Sequence, residues 1–265
     1  MEPLLMPWIL QQKRKASNNN MLECSAAKRK RQIILERPQF RLISFCTWDL
    51  AEPTRLILTY AGIDFEDINY ENYKFYEPDV SPAEFPLLNY NGKILRENDA
   101  IARMLAKMYG LAGNGFFEQA QVDSIVAIVK DLYAATLPYF EDVLGFKVTD
   151  TEKIFKEIFK PAVLQHCTKL EKYALKLSNS GFLFDSGITY ADFSVSYMVQ
   201  AINSIHPELM SKFPNILLLS QRVFALPQLQ FYISTRPGKQ DALFEKMKRE
   251  LYSSDKKCLT EIFDN

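Results

Sequence analysis

From Phe40 onward, short apolar runs alternate with helical periodicities. Phe40 to Phe45, FRLISF, reads as a first strand. Ala51 to Tyr60 opens with Glu52-Pro53, and proline is welcome in the first turn of a helix. Leu56, Ile57 and Tyr60 then share one helical face, and Gly62 stops the helix. Asp64 to Tyr70 returns as a strand, and residues 71–80 form a polar, aromatic loop. Pro86 heads another apolar run. Asn91-Gly92 follows as a tight turn, because both residues tolerate positive φ, and Lys93 to Leu95 runs back as its partner strand. A helix comes next, with Ala100, Ile101, Met104, Leu105 and Met108 as its apolar or small positions. Asn98 is its expected N-cap, since a side-chain oxygen there can accept from the first free amides.

Strand, helix, strand, loop, strand, strand, helix is the element order of a thioredoxin-like domain. Tyr109-Gly110-Leu111-Ala112-Gly113 breaks the pattern, and the rest is helical almost throughout. Glu118 to Leu137 carries Val122, Ile125, Val126, Val129 and Leu132. Lys153 to Leu177 carries Ile154, Ile158, Leu164, Leu170 and Leu177, with Pro161 set to start or kink a segment. Thr189 can cap the next helix, and Asp192 stands where its carboxylate can reach back to complete a capping box. The fold class expected is therefore α/β plus all-α. Its boundaries are a basic tail at 1–38, a thioredoxin-like domain at 39–110, a helical domain at 111–238 and an extension at 239–265.

The two ends differ from the middle. Residues 1–38 hold Lys13-Arg14-Lys15 and Lys28-Arg29-Lys30-Arg31 and lack periodicity of any length. Two such clusters match a bipartite nuclear-import pattern, but a solvated, disordered extension or a phosphate-binding arm suits them better. In 239–265, Leu243, Met247 and Leu251 recur every four residues, as on an amphipathic helix that packs on its own domain or, as the alternative, on a partner.

Composition narrows the chemistry. Thirty-two basic residues balance 32 acidic ones, so global charge gives no reason to bind nucleic acid. Cys24, Cys46, Cys167 and Cys258 are scattered, which suits a reducing compartment such as the cytoplasm and argues against a disulfide framework or a metal site. No apolar run approaches the ~20 residues needed to span a bilayer.

The densest chemistry lies in Ser81 to Arg103. A proline corner, the acid Glu97 and a helix start with free N–H groups are brought close together, and such a helix start binds carboxylates. This order, with Ala-Ile-x-Arg after the acid and a small polar residue, resembles the glutathione site of cytosolic glutathione transferases. Their sigma-like branch, which includes the glutathione-dependent prostaglandin D synthase, is the nearest likeness. The stretch KMYGLAG resembles the family's interdomain linker, and Thr189-x-Ala191-Asp192 its helix-nucleating motif. The likeness covers Phe40 to Pro237.

The resemblance implies a cis proline at Pro86, with the backbone of Phe85 pairing the cysteinyl backbone of glutathione. It implies that Glu97 takes the γ-glutamyl ammonium and that Asn98, in place of the usual serine, binds the γ-glutamyl carboxylate. Asp131 matches the acid that reaches the glutathione of a neighbouring subunit, so a homodimer is implied. The partners implied are glutathione, as co-substrate, and an apolar electrophile seated between residues 46–50 and the helices around Tyr133 and Tyr139.

The likeness fails at the activating group. The family's tyrosine lies eight positions before Glu52, where this chain has Ser44, whose hydroxyl sits several ångströms closer to the backbone. An arginine that usually follows is Leu50 here, and Glu84 stands where a donor is usual. Thr47 or Trp48 could donate to the thiol instead, or Cys46 could act as in the cysteine-using members. The readings that follow are a transferase and, as the alternative, a non-catalytic binding module.

Overall fold

The computed structural model describes residues 39–44, 51–69, 85–143, 150–175 and 179–236. The basic tail, residues 45–50, the loop 71–80 and the C-terminal extension lie outside the described residues, and the expectations placed on them, including those for Cys46, stay there. Every element below belongs to one unit, Phe40–Asn265.

Four strands form one sheet in the order β2-β1-β3-β4: β1 (Phe40–Ser44), β2 (Phe65–Asn69), β3 (Leu87–Tyr90) and β4 (Lys93–Arg96). β1 and β2 are parallel, with Phe40 level with Phe65. β1 and β3 are antiparallel, with Ile43 level with Leu87. The parallel pair is bridged by α1 (Glu52–Tyr60), as a crossover requires. Pro53 stands in the first turn of α1. β3 and β4 form the expected hairpin, with φ of 51° at Asn91 and 83° at Gly92. The Asn89 carboxamide oxygen accepts from Gly92 N–H at 2.8 Å, which fixes the turn further.

α2 (Asn98–Met108) follows the hairpin. It buries Ile101, Ala102, Leu105 and Ala106, while Met108 faces outward. α3 (Gly115–Val143) is the long helix, carrying Pro138 inside it. α4 (Thr151–Ile154) leads through a π-helical turn, Phe155–Phe159, into α5 (Lys160–Ala174), where Pro161 occupies the first turn. That turn leaves Ile158 exposed, against the expected periodicity.

α6 (Tyr190–Ile205) is the centre of the helical part, buried on nearly every side. α7 (Pro207–Met210), α8 (Pro214–Phe224), a 3₁₀ turn at Pro227–Leu229 and α9 (Gln230–Thr235) surround it. The start of α6 is the expected capping box. One Asp192 oxygen accepts from Thr189 N–H at 2.7 Å and from the Thr189 hydroxyl at 2.8 Å; the other accepts from Leu183 N–H at 2.9 Å.

Sheet layer and helices share one apolar core. Tyr60 of α1 packs on Phe193 of α6, and Tyr190 N–H donates to Leu111 O at 2.9 Å. Tyr190 also donates its hydroxyl hydrogen to Asp123. Arg103 of α2 sets its Nε 3.0 Å from the other Asp123 oxygen, off the hydrogen-bonding direction, so that contact is chiefly between charges.

Two buried groups report on conditions. Cys167 is a free, enclosed thiol, and burial pushes its pKa up to about 12, which makes it inert as a nucleophile. His166 beside it is buried, and its Nδ1 finds no partner among the described residues. Burial lowers its pKa, with Lys169 acting the same way and Asp131 against. Because the folded value is depressed, the stability tied to neutral His166 is present above about pH 6.5 and is lost as pH falls through the folded value. A His166→Leu variant is expected to show a shallower loss of urea midpoint between pH 7 and 5 than the parent chain.

Candidate functional site

The corner expected at Pro86 exists. The Phe85–Pro86 peptide is cis, Phe85 is half-buried and Pro86 is buried. Pro86 immediately precedes β3, so it lies level with Ser44, the residue after Ile43 in β1. The end of the central strand and the proline corner are therefore side by side.

Two helix starts converge on this corner. The Thr54 hydroxyl, in the first turn of α1, donates to Asn98 Oδ1 at 3.5 Å, in the first turn of α2. The N-terminal ends of helices carry free amides and a partial positive charge, so this is the electrostatic setting for an anion. Glu97 is exposed at the head of α2, with φ of 69°.

One expectation is corrected here. Asn98 is not the N-cap of α2. Glu97 occupies that position without a side-chain cap, and Asn98 is the first helical residue. The positive φ at Glu97 rotates the chain so that the Asn98 carboxamide turns toward Thr54 and the backbone of Glu97 closes the first turn, its O accepting from Ile101 N–H at 3.0 Å.

Ser44, expected from the resemblance at the activating position, ends β1, and its hydroxyl is engaged inside the protein. It is 0% exposed, and Arg55 Nη2 donates to its Oγ at 2.5 Å. Arg55 is itself held by Asp67, which accepts from Nε at 2.7 Å, and by Glu52, 3.5 Å from Nη1. Glu52 in turn accepts from the Tyr232 hydroxyl and from Arg236 Nη1, each at 2.7 Å. The charges of Arg55 and Arg236 are matched by those of Glu52 and Asp67, so this network offers Ser44 no surplus positive charge. Sequence reasoning missed it altogether. The sequence shows Glu52 in the first turn of α1, but not that it is buried.

Asp131 is exposed on α3, and its neighbour Lys130 sets its ammonium 3.6 Å from Asp99 of α2. Tyr133 is half-buried. Tyr139 turns into the helical core, where its hydroxyl shares a hydrogen with His206 Nε2 at 2.8 Å among Phe155 and Phe159. Among the described residues no group of three or more His, Cys, Asp or Glu stands together as metal ligands would, and no helix is long and apolar enough to cross a membrane.

Residues 138–236 match the family model described as Glutathione S-transferase, C-terminal domain. Glutathione S-transferase 1 of Ascaris suum is 34% identical over 202 residues, which are 76% of this chain and 98% of that protein. The hematopoietic prostaglandin D synthase of Gallus gallus is 31% identical over 202 residues, 76% of this chain and 98% of its own. Among solved structures, the glutathione S-transferase from Ascaris lumbricoides superposes with a TM-score of 0.70 at 34% identity, covering 76% of this chain and 99% of that one.

Proposed function

Because the chain belongs to the glutathione S-transferase family, we propose that it holds glutathione at the Pro86 corner and passes its sulfur to an electrophilic, apolar co-substrate. The observation that carries this reading is the meeting of the two helix starts, through Thr54 and Asn98, beside the cis Phe85–Pro86 peptide. The backbone of Phe85 pairs the cysteinyl unit of glutathione. Exposed Glu97 offers a carboxylate to the γ-glutamyl ammonium, a charge-assisted contact. The Asn98 carboxamide nitrogen and the first amides of α2 take the γ-glutamyl carboxylate. Asp131 of the partner subunit completes the grip in a homodimer, whose mass light scattering would report. Cytoplasmic residence belongs to the same reading. The basic clusters lie outside the described residues and lend no support to nuclear import.

The chemistry is a transfer of one proton and one electron pair. The thiol gives up its proton, the thiolate sulfur forms a bond to the electrophilic carbon, and a leaving group departs with its bonding electrons. A free thiol titrates at about 8.5, so only a few per cent is thiolate at neutral pH. Ser44, bound by Arg55 in the core, is not the group we assign to this task. Cys46, Thr47 and Trp48 are the candidates that remain from the sequence.

The test is a conjugation assay with a generic aryl halide beside glutathione titration calorimetry. Glu97→Gln keeps the shape and removes the charge, and its dissociation constant for glutathione is expected to rise about tenfold, the worth of one charge-assisted contact. A rate lost on Cys46→Ser assigns the thiol route; a rate kept assigns a donor among Thr47 and Trp48. Binding without conjugation would mark a non-catalytic module, and neither binding nor conjugation would overturn the reading.

A further inference from the structure

We propose that Arg236, at the far end of the described chain, is a positioning residue for the glutathione corner and acts through Glu52 and Arg55. The proposal deepens the reading of that site and rests on it.

The geometry is a relay of buried charges. Arg236 caps the end of α9, its N–H donating to Tyr232 O at 2.7 Å. Its guanidinium is 8% exposed. Nη1 meets Glu52 at 2.7 Å, Nη2 donates to Gln200 Oε1 of α6 at 3.2 Å, and the group lies over the Phe224 ring, 5.4 Å from its centre. Glu52 and Arg236 are 184 positions apart in sequence. Glu52 opens α1, and its carboxylate is almost wholly enclosed. From there the relay runs through Arg55 to Ser44, which lies level with Pro86.

Two arginines thus share one buried carboxylate, unequally. Arg236 sits close to Glu52, and Arg55 stands farther off at 3.5 Å because Ser44 and Asp67 hold it. Removing one partner of an enclosed ion pair leaves the other charge uncompensated, and the nearest opposite charge is drawn in. Without Arg236 that charge is Arg55. Its Nη1 is the nitrogen that faces Glu52, and drawing it in shifts the same planar group whose Nη2 and Nε hold Ser44 and Asp67, so the anchor at the end of β1, beside the Phe85–Pro86 corner, is displaced. The short contact at Glu52 keeps Arg55 on Ser44.

The prediction concerns affinity more than chemistry. In the full chain, Arg236→Met is expected to raise the dissociation constant for glutathione about tenfold, as small misplacements far from a site do. Arg236→Lys keeps the charge and is expected to stay within about threefold of the parent. Tyr232→Phe removes the other donor to Glu52 with little change of shape. It is expected to weaken binding in the same direction, and it decides the matter should the methionine variant fail to fold. All are measured by calorimetry well below their melting transitions, so that a purely structural residue would lower the melting temperature and leave the constant alone. Folded Arg236→Met and Tyr232→Phe within twofold of the parent would overturn the proposal and leave the site intact. A parent chain that binds no glutathione would bring down the site and this proposal together.

Discussion

Replacing Asp192 by alanine should cost about 3 kcal/mol or more of folding stability, a large share of the ~5–15 kcal/mol available to a folded protein. The carboxylate is fully enclosed and accepts from three donors: Leu183 N–H, Thr189 N–H and the Thr189 hydroxyl. Alanine leaves two backbone amides buried with no acceptor, each costing about 1–3 kcal/mol, and it removes the Asp192 half of the capping box of α6. That helix is the one around which the other helices and α1 gather, so the loss is felt by the whole molecule. Asp192→Asn retains one acceptor oxygen and should lose roughly half as much, read from urea midpoints. Burial raises the Asp192 carboxyl to about 6, against the lowering effect of its hydrogen bonds. A folded value above the unfolded one means that the linked stability is full below about pH 4 and is lost as pH rises through 6. The gap between parent and Asp192→Asn should therefore be wider at pH 4 than at pH 7. His166, which acts in the opposite sense, is common to both chains and cancels.

That cap was legible because it is local. Thr189 and Asp192 are three residues apart, and the rule linking them needs no knowledge of the rest of the chain. Asn91-Gly92 was legible for the same reason: two residues that accept positive φ lie between two strands that need a reversal. The order of sheet and helices followed from periodicity, since burial imposes it along each element. Reasoning failed where the partner is distant or the backbone unusual. Glu97 takes a positive φ that propensity reserves for glycine and asparagine, and this displaced Asn98 from its expected cap. The pairing of Tyr139 with His206, 67 positions away, was not readable. The fate of Ser44 could not be read at all. The hydroxyl's partner is a side chain on the next helix, whose own charge is met by Asp67 of β2 and by Glu52, which Arg236 shares.

Arg55→Leu should be the most damaging single change at the site, lowering stability by about 3–5 kcal/mol. Arg55 is 2% exposed and spends its donors on Ser44 and Asp67, with its charge against Glu52. Leucine fills much of the space but answers none of these groups. Asp67 is partly open to solvent, so water can take its share. Glu52 is not, and after the loss it depends on Arg236 and Tyr232 alone. Ser44 is fully enclosed and loses its short contact. Arg55→Lys keeps a charge but offers it from one point instead of a planar fork, so it should recover only part of the loss. The discriminating measurement is a double-mutant cycle with Asp67→Asn. If the pair acts as a unit, the double variant should be less damaged than the sum of its parts by about 1 kcal/mol or more, read from denaturant midpoints. An additive cycle would mean that Asp67 only screens Arg55 from solvent. The hold on Arg55, and through it on Ser44, would then rest more on Glu52 than on Asp67.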